Sequence, residues 1–159
     1  MTTNFDNKAF RNALGRFATG VTVITTDLDG EPHGMTASAF MSVSLEPPLI
    51  VVSVDHRASM NAKLKQTLRY GVSILNADHA PLSSHFAGYG DPSTVIPWVR
   101  KAEMPLLDGA LAHLVARVVD AHEAGDHTLF IGQVEFLESF DEQPLLYFQG
   151  AYRAIAPKA

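Results

Sequence analysis

Gly34-Met-Thr-Ala-Ser-Ala-Phe-Met-Ser-Val-Ser-Leu-Glu-Pro-Pro48 is too polar for a core segment and too apolar for an ordinary loop. Thr36, Ala37, Ser38 and Ala39 carry no long side chain, so the backbone here can come close to something flat. Thr36, Ser38, Ser42 and Ser44 add hydroxyls that donate or accept. The stretch reads as a cradle for a planar ligand or, from spacing alone, as a half-buried strand with Thr and Ser on its wet face.

Upstream, the β-branched run Val21 to Thr26, the turn residues Asp27-Leu-Asp-Gly30 and the return from Glu31 to Ala39 predict a tight hairpin. Before it, Phe10, Ala13, Leu14 and Phe17 recur at helical spacing behind Asp6, a candidate cap. Gly20 stands where a helix would stop, so an amphipathic helix is expected over residues 6–18. Downstream, Pro47-Pro48 blocks any helix, and Leu49-Ile-Val-Val-Ser-Val54 reads as a strand covered on both faces.

A helix is expected from Met60 to Gln66 behind a Ser59 cap, then a strand from Tyr70 to Leu75. Asp78 can cap a helix from about His79 to Phe86, and Gly88 to Pro97 is loop by composition, with Trp98 as a core or interface plug. Ala112 to His122 alternates as a strand with one wetter face. The turn Glu123-Ala-Gly-Asp126 leads into a long strand from His127 to Phe140 with Gly132 as a bend or bulge. Leu145 to Arg153 is the last strand. Six or seven strands and two or three short helices predict a mainly β fold, an antiparallel barrel with helices plugged on its ends.

Composition narrows the function. The 159 residues suit one domain spanning 1–159. Twelve Lys and Arg against 17 Asp and Glu leave a net charge of -5, and no basic block appears, so nucleic acid is a poor partner. With no cysteine there is no disulfide, thiolate metal site or cysteine nucleophile. The N-terminus has no apolar signal core and no apolar run is long enough for a membrane, so a cytoplasmic protein is expected.

Chemistry-bearing motifs are sparse. Seven histidines include no His-x-His and no His-Glu-x-x-His, so no metal site is expected. Gly88-Tyr-Gly90-Asp-Pro-Ser93 lacks the third glycine of a dinucleotide fingerprint and follows a helix rather than a strand. Arg57, in Asp55-His-Arg-Ala-Ser59 ahead of a helix, reads as a phosphate seat or, taken alone, as a solvated Arg in an ordinary loop. Gly125-Asp-His127 presents a histidine at the mouth of a strand, where it could meet a ligand at the barrel rim or stand simply solvated in its turn.

Together, Phe17-Ala-Thr-Gly-Val-Thr-Val-Ile-Thr-Thr26, Gly34 to Pro48, Tyr70-Gly-Val-Ser-Ile-Leu-Asn76, Pro105-Leu-Leu-Asp-Gly-Ala110, Gly125-Asp-His-Thr-Leu-Phe-Ile-Gly132 and Pro144-Leu-Leu-Tyr-Phe148 resemble the flavin reductases that supply two-component monooxygenases. The match runs in order from about Phe10 to Tyr152. The resemblance implies an FMN-binding split β-barrel, mainly β and antiparallel with a few short α-helices, usually a homodimer. It implies reduction of FMN or FAD by NADH or NADPH, with reduced flavin passed to a separate monooxygenase.

Carried over by position, Thr36, Ala37, Ser38 and Ala39 with Ser42 and Val43 would line the isoalloxazine. Ser53, Val54, Asp55, Arg57 and Ser59 would run beside the ribityl chain and phosphate. His127 would sit on the nicotinamide side of the flavin, orienting the nicotinamide, and Tyr152 could close that pocket. One departure lies in α-helical Pro81-Leu-Ser-Ser-His-Phe-Ala87, where similar sequences often carry Arg in place of His85 before Phe86, which touches the outer phosphate contact. Such chemistry asks the protein to stack two rings rather than to supply an acid and a base. Two rival readings stand beside it, a non-catalytic flavin or haem carrier on the same barrel and a purely structural or partner-binding barrel.

Overall fold

The computed structural model describes residues 4–159. Helix α1 runs Asn7–Leu14, capped by Asp6, whose carboxylate accepts from Ala9 N at 2.7 Å. It stops at Gly15 rather than running to residue 18, because the following chain is taken up in strand β1, Thr19–Gly20. Thr19 pairs with Tyr147, so a long-range ladder overrides the local helical period. None of the residues of α1 is buried, and Phe10 and Leu14 lie open at the surface.

Strands β2 (Thr22–Leu28) and β3 (Glu31–Ala37) form the expected hairpin. Its turn residues Asp29 and Gly30 both have positive φ, 55° and 82°, the geometry that matches strand twist, and Asp27 accepts from Gly30 N at 2.8 Å. The expected strand to Ala39 ends at Ala37; Ser38 and Ala39 form a link to β4 (Phe40–Leu45), which pairs with β5 (Pro48–Asp55). β5 alternates instead of being covered equally on both sides: Ile50, Val52 and Val54 are buried, and Leu49, Val51, Ser53 and Asp55 are only half-buried.

Helix α2 spans Ser59–Thr67. Ser59 is its first residue and not its cap; Ala58 holds that place and makes no side-chain cap bond. β6 is Arg69–Ile74. Asn76, and not Asp78, caps the short turn before α3 (Ala80–Phe86), accepting from Asp78 N at 2.8 Å. A hairpin absent from the sequence reading follows, β7 (Trp98–Lys101) with β8 (Met104–Leu107). The long strands β9 (Ala112–Ala124) and β10 (His127–Ser139) are next. The expected last strand is two, β11 (Leu146–Phe148) and β12 (Ala151–Arg153), folded back at Gln149 and Gly150, whose φ values are 51° and 77°.

The main antiparallel sheet has the order β3-β2-β6-β9-β10-β5-β4. Its two edge strands, β3 and β4, are joined only through Ser38 and Ala39. Three Cα steps reach at most about 11 Å, so the sheet must curl until its edges nearly meet. That is a split barrel, in line with the mainly β antiparallel expectation. Ile24, Val52, Val54, Leu64, Tyr70, Val72 and Phe130 fill it, with α2 over one end through Met60 and Leu64. Outside, Val21, Val23, Leu75, Leu82, Leu107 and Leu145 form a second cluster under α3. Gly132 marks the expected bulge: a Cβ there would meet Tyr70 Oη at 2.5 Å, so no larger residue fits without movement.

Candidate active site

The split is the place where the sheet cannot complete its ladder, and there backbone is left open. Ala39 O accepts from Ser53 N at 3.1 Å and Ser38 O from Phe40 N at 2.9 Å. The N–H groups of Ser38 and Ala39 and the Ser38 hydroxyl meet no acceptor among the described residues. Two cavities flank this link and share Ser38.

The larger, of about 720 Å³, is walled mostly by apolar groups: Phe17, Phe40, Met41, Val51, Ile74 and Leu129, with Thr19, Thr22 and Ser53 as polar points. Volume and lining are those of a small-molecule site. The smaller, about 310 Å³, lies between Thr36, Ser83, Ser84, Tyr89, Tyr147 and Tyr152. Its polar wall is ordered. Thr36 Oγ1 donates to Ser83 O at 2.6 Å, and Tyr152 Oη donates to Ser83 Oγ at 2.7 Å.

A charged rim continues from the larger cavity along β5 and β10. Ser53 pairs with Leu129 and Asp55 with His127, so all four share one face. Asp55 takes both Nε (3.2 Å) and Nη2 (2.8 Å) of Arg57 and also its backbone N–H at 2.8 Å. This fork holds the Asp55 carboxyl well below the usual carboxylate range and leaves Arg57 otherwise open to solvent. His127 Nδ1 lies 2.7 Å from Asp126 Oδ1, which lowers the Asp126 pKa.

Behind the rim, Glu123 receives His56 Nε2 at 2.7 Å, Lys65 Nζ at 3.1 Å and Thr128 Oγ1 at 3.1 Å, while buried Asn61 ties Thr128 to Val54 O. The rim loop and the β9–β10 turn are therefore one bonded unit.

The fold thus brings Ser38, Ala39 and Ser53 to one cavity, Thr36, Ser38 and Tyr152 to the other, and Asp55, Arg57 and His127 to the rim. Ala37 and Val54 turn into the core, so only their backbones can meet a ligand. Ser42 and Val43 stand on exposed β4 and line neither cavity, with a register shift between Ser42 and Ser44. His85 and Phe86 also line neither; the Phe86 ring covers Gly34, where a Cβ would sit 2.6 Å from it, and packs on Trp98. Tyr152 and His127 do not share a pocket, contrary to the sequence reading. Ser83, Ser84, Tyr89 and Tyr147 were missed, because only folding brings α3, the loop after it and β11 to the split. Among the described residues no group of His, Asp and Glu is placed to hold a metal ion, and no helix is long and apolar enough to cross a membrane.

Residues 14–156 match the family model described as a flavin reductase like domain. An NADH-dependent flavin reductase of Rhodococcus sp is 49% identical, over 91% of this chain and 84% of its own. The reductase component of 4-hydroxyphenylacetate 3-monooxygenase from Thermus thermophilus is 41% identical, over 93% of this chain and 96% of its own. Among solved structures, the flavin reductase PheA2 in its native state superposes with a TM-score of 0.94 at 46% identity, covering 96% of this chain and 100% of that one.

Proposed function

Because this chain belongs to the flavin reductase-like family, we propose that it acts as an NAD(P)H:flavin oxidoreductase, reducing FMN or FAD by hydride transfer and supplying the reduced flavin to a separate monooxygenase. The observation that carries the placement of the flavin is the Ser38–Ala39 link, with two open N–H groups and a free hydroxyl beside a largely apolar cavity of about 720 Å³. A flat ring fits there because no side chain longer than a Ser hydroxyl rises from the link. The flavin, when bound, supplies the hydride acceptor at N5 for the nicotinamide C4.

The chain's own part is placement and electrostatics. The open N–H groups of Ser38 and Ala39 and the Ser38 hydroxyl would hold the ring edge where negative charge grows on reduction, and Thr36, bonded to Ser83 O, would brace the link from the smaller cavity. Phe40, Val51 and Leu129 exclude water from the ring face. Ser53 starts the path to the rim, where Arg57 takes the phosphate. His127 orients the nicotinamide, and Tyr152 with Ser83 and Ser84 closes the smaller cavity.

The protein works as a homodimer in this reading. Phe10 and Leu14 on α1, Phe17 just after it, and Met41 and Leu45 on β4 are large apolar side chains left exposed, which a second copy would bury. A cytoplasmic location, where NADH is at hand, completes the reading.

Steady-state oxidation of NADH and NADPH with and without added FMN or FAD tests the activity. No flavin-dependent rate would remove it. The rim gives a further prediction. Arg57→Ala is expected to weaken FMN and FAD by about 10-fold and to spare riboflavin, because only the phosphate contact is lost and Asp55 is left unpaired beside the phosphate. Asp55→Asn should act in the opposite direction, freeing the guanidinium fork. Flavin fluorescence titrations check both; equal losses for all three flavins would count against the phosphate seat.

A further inference from the structure

The β9–β10 turn is fixed more firmly than its exposure suggests. Gly125 takes a φ of 62°, and Asp126 O accepts from His56 N at 2.9 Å, while the His56 ring is itself held by Glu123. The backbone of Asp126 is therefore pinned to the rim loop. From that position its carboxylate lies against Nδ1 of His127 at 2.7 Å, and the other ring nitrogen has no partner among the described residues. A carboxylate can only accept, so the hydrogen sits on Nδ1. In a neutral imidazole the second nitrogen is then a bare lone pair.

We propose that Asp126 is a positioning residue, which fixes His127 in the Nδ1–H tautomer so that Nε2 offers an acceptor to the cleft. Such an acceptor selects hydride donors with an N–H group on the pyridine 3-substituent, as the carboxamide of NADH has. A 3-acetyl group offers only acceptors, and would set oxygen lone pairs against the Nε2 lone pair. A site built to receive a hydrogen bond rejects the analogue that lacks the donor, more strongly the drier the site. His127 is half-buried on the face that continues the larger cavity, so a moderate discrimination follows. The inference rests on the reading that His127 meets the nicotinamide.

Two measurements separate the tautomer from that reading. In the free protein, nitrogen NMR of the His127 ring is expected to show a protonated Nδ1 and a pyridine-type Nε2 in the wild type. Asp126→Asn, whose amide can donate as well as accept, should give a mixed or inverted pattern, and Asp126→Glu should restore the original one. A wild-type ring protonated at Nε2, or a pattern unmoved by Asp126→Asn, overturns the proposal.

In turnover, the kcat/KM ratio of NADH to reduced 3-acetylpyridine adenine dinucleotide is expected to fall about 10-fold from the wild type to Asp126→Asn and to recover in Asp126→Glu; the weaker hydride-donating power of the acetyl analogue is common to all three proteins and cancels in the comparison. A ratio unaffected by Asp126→Asn, with the ring pattern as expected, overturns the selection and with it the nicotinamide placement of His127. Loss of NADH-driven flavin reduction in the wild type would instead remove the reductase reading and leave the ring assignment to the NMR.

Discussion

His113→Leu is expected to cost the fold about 2–4 kcal/mol. His113 is 2% exposed, in β9, and both of its ring nitrogens are committed: Nε2 to Leu107 O at 2.7 Å and Nδ1 to Glu138 Oε1 at 2.8 Å. A carbonyl can only accept, so Nε2 carries a hydrogen. Leucine fills the space but leaves the buried Leu107 carbonyl without a donor and Glu138 with Lys101 alone, whose Nζ is 3.5 Å away. Three elements, β8, β9 and β10, lose their common fastening. Urea unfolding checks the size of the loss, and a Tm drop of roughly 10 °C should accompany it.

The same pair predicts an acid limb. Glu138 has its pKa lowered, first by the His113 hydrogen bond and then by Lys101 against the opposing effect of desolvation. A carboxyl whose folded pKa lies below its unfolded value contributes stability above the unfolded pKa and loses it as pH falls through the folded one. The wild-type urea midpoint should therefore fall below about pH 4.5, and part of that fall should vanish in Glu138→Gln. An identical acid limb in the variant would assign the loss to the other depressed carboxyls, Asp55, Asp91, Glu123 and Asp126.

What could be read from the residues was local. The Asp29-Gly30 hairpin, the Gly132 bulge and the Asp6 cap each follow from chemistry within a few positions, and each stands where expected. The misses are long-range. The β7–β8 turn uses Ala102 and Glu103 at φ 46° and 63°, residue types that do not announce a left-handed turn, so the hairpin had no local signal. Helix α1 lost its last turn to a strand pairing with β11, about 130 residues away in sequence.

The site divides in the same way. The small-residue ribbon from Thr36 to Ala39 was visible as a place where backbone could approach a flat ligand. That it joins the two edges of a curled sheet was not, because the pairing order is set by partners across the whole chain. The ordered series of motifs pointed to flavin reduction, whereas no single residue spacing did. Tyr152 was grouped with His127 through motif succession, whereas Tyr152 lines the smaller cavity and His127 stands on the rim opposite Asp55. Succession along a chain carries no information on which side of a strand link a side chain emerges.

His127→Ala is expected to lower kcat/KM for NADH by about 10- to 100-fold while changing flavin affinity by less than about threefold. The asymmetry follows from position. His127 stands opposite Asp55 on the cavity face of β10, beyond Leu129, so the apolar wall that would hold the ring is intact when the imidazole is removed. Its Nδ1 is engaged by Asp126, which leaves the opposite edge for the second ring of the stack. A lost orienting contact raises the barrier through misplacement, since near-attack geometry is what the site supplies to a reaction between two bound rings. His127 is also the neighbour of the Asp55–Arg57 fork, and this sets the competing outcome. If the imidazole serves the phosphate instead, FMN affinity falls as far as NADH turnover does, and riboflavin binding is spared. Stopped-flow hydride transfer with saturating FMN, set beside fluorescence titration of FMN and riboflavin on the same variant, separates the two. Parallel losses in turnover and FMN affinity would move His127 from the nicotinamide to the phosphate end of the flavin.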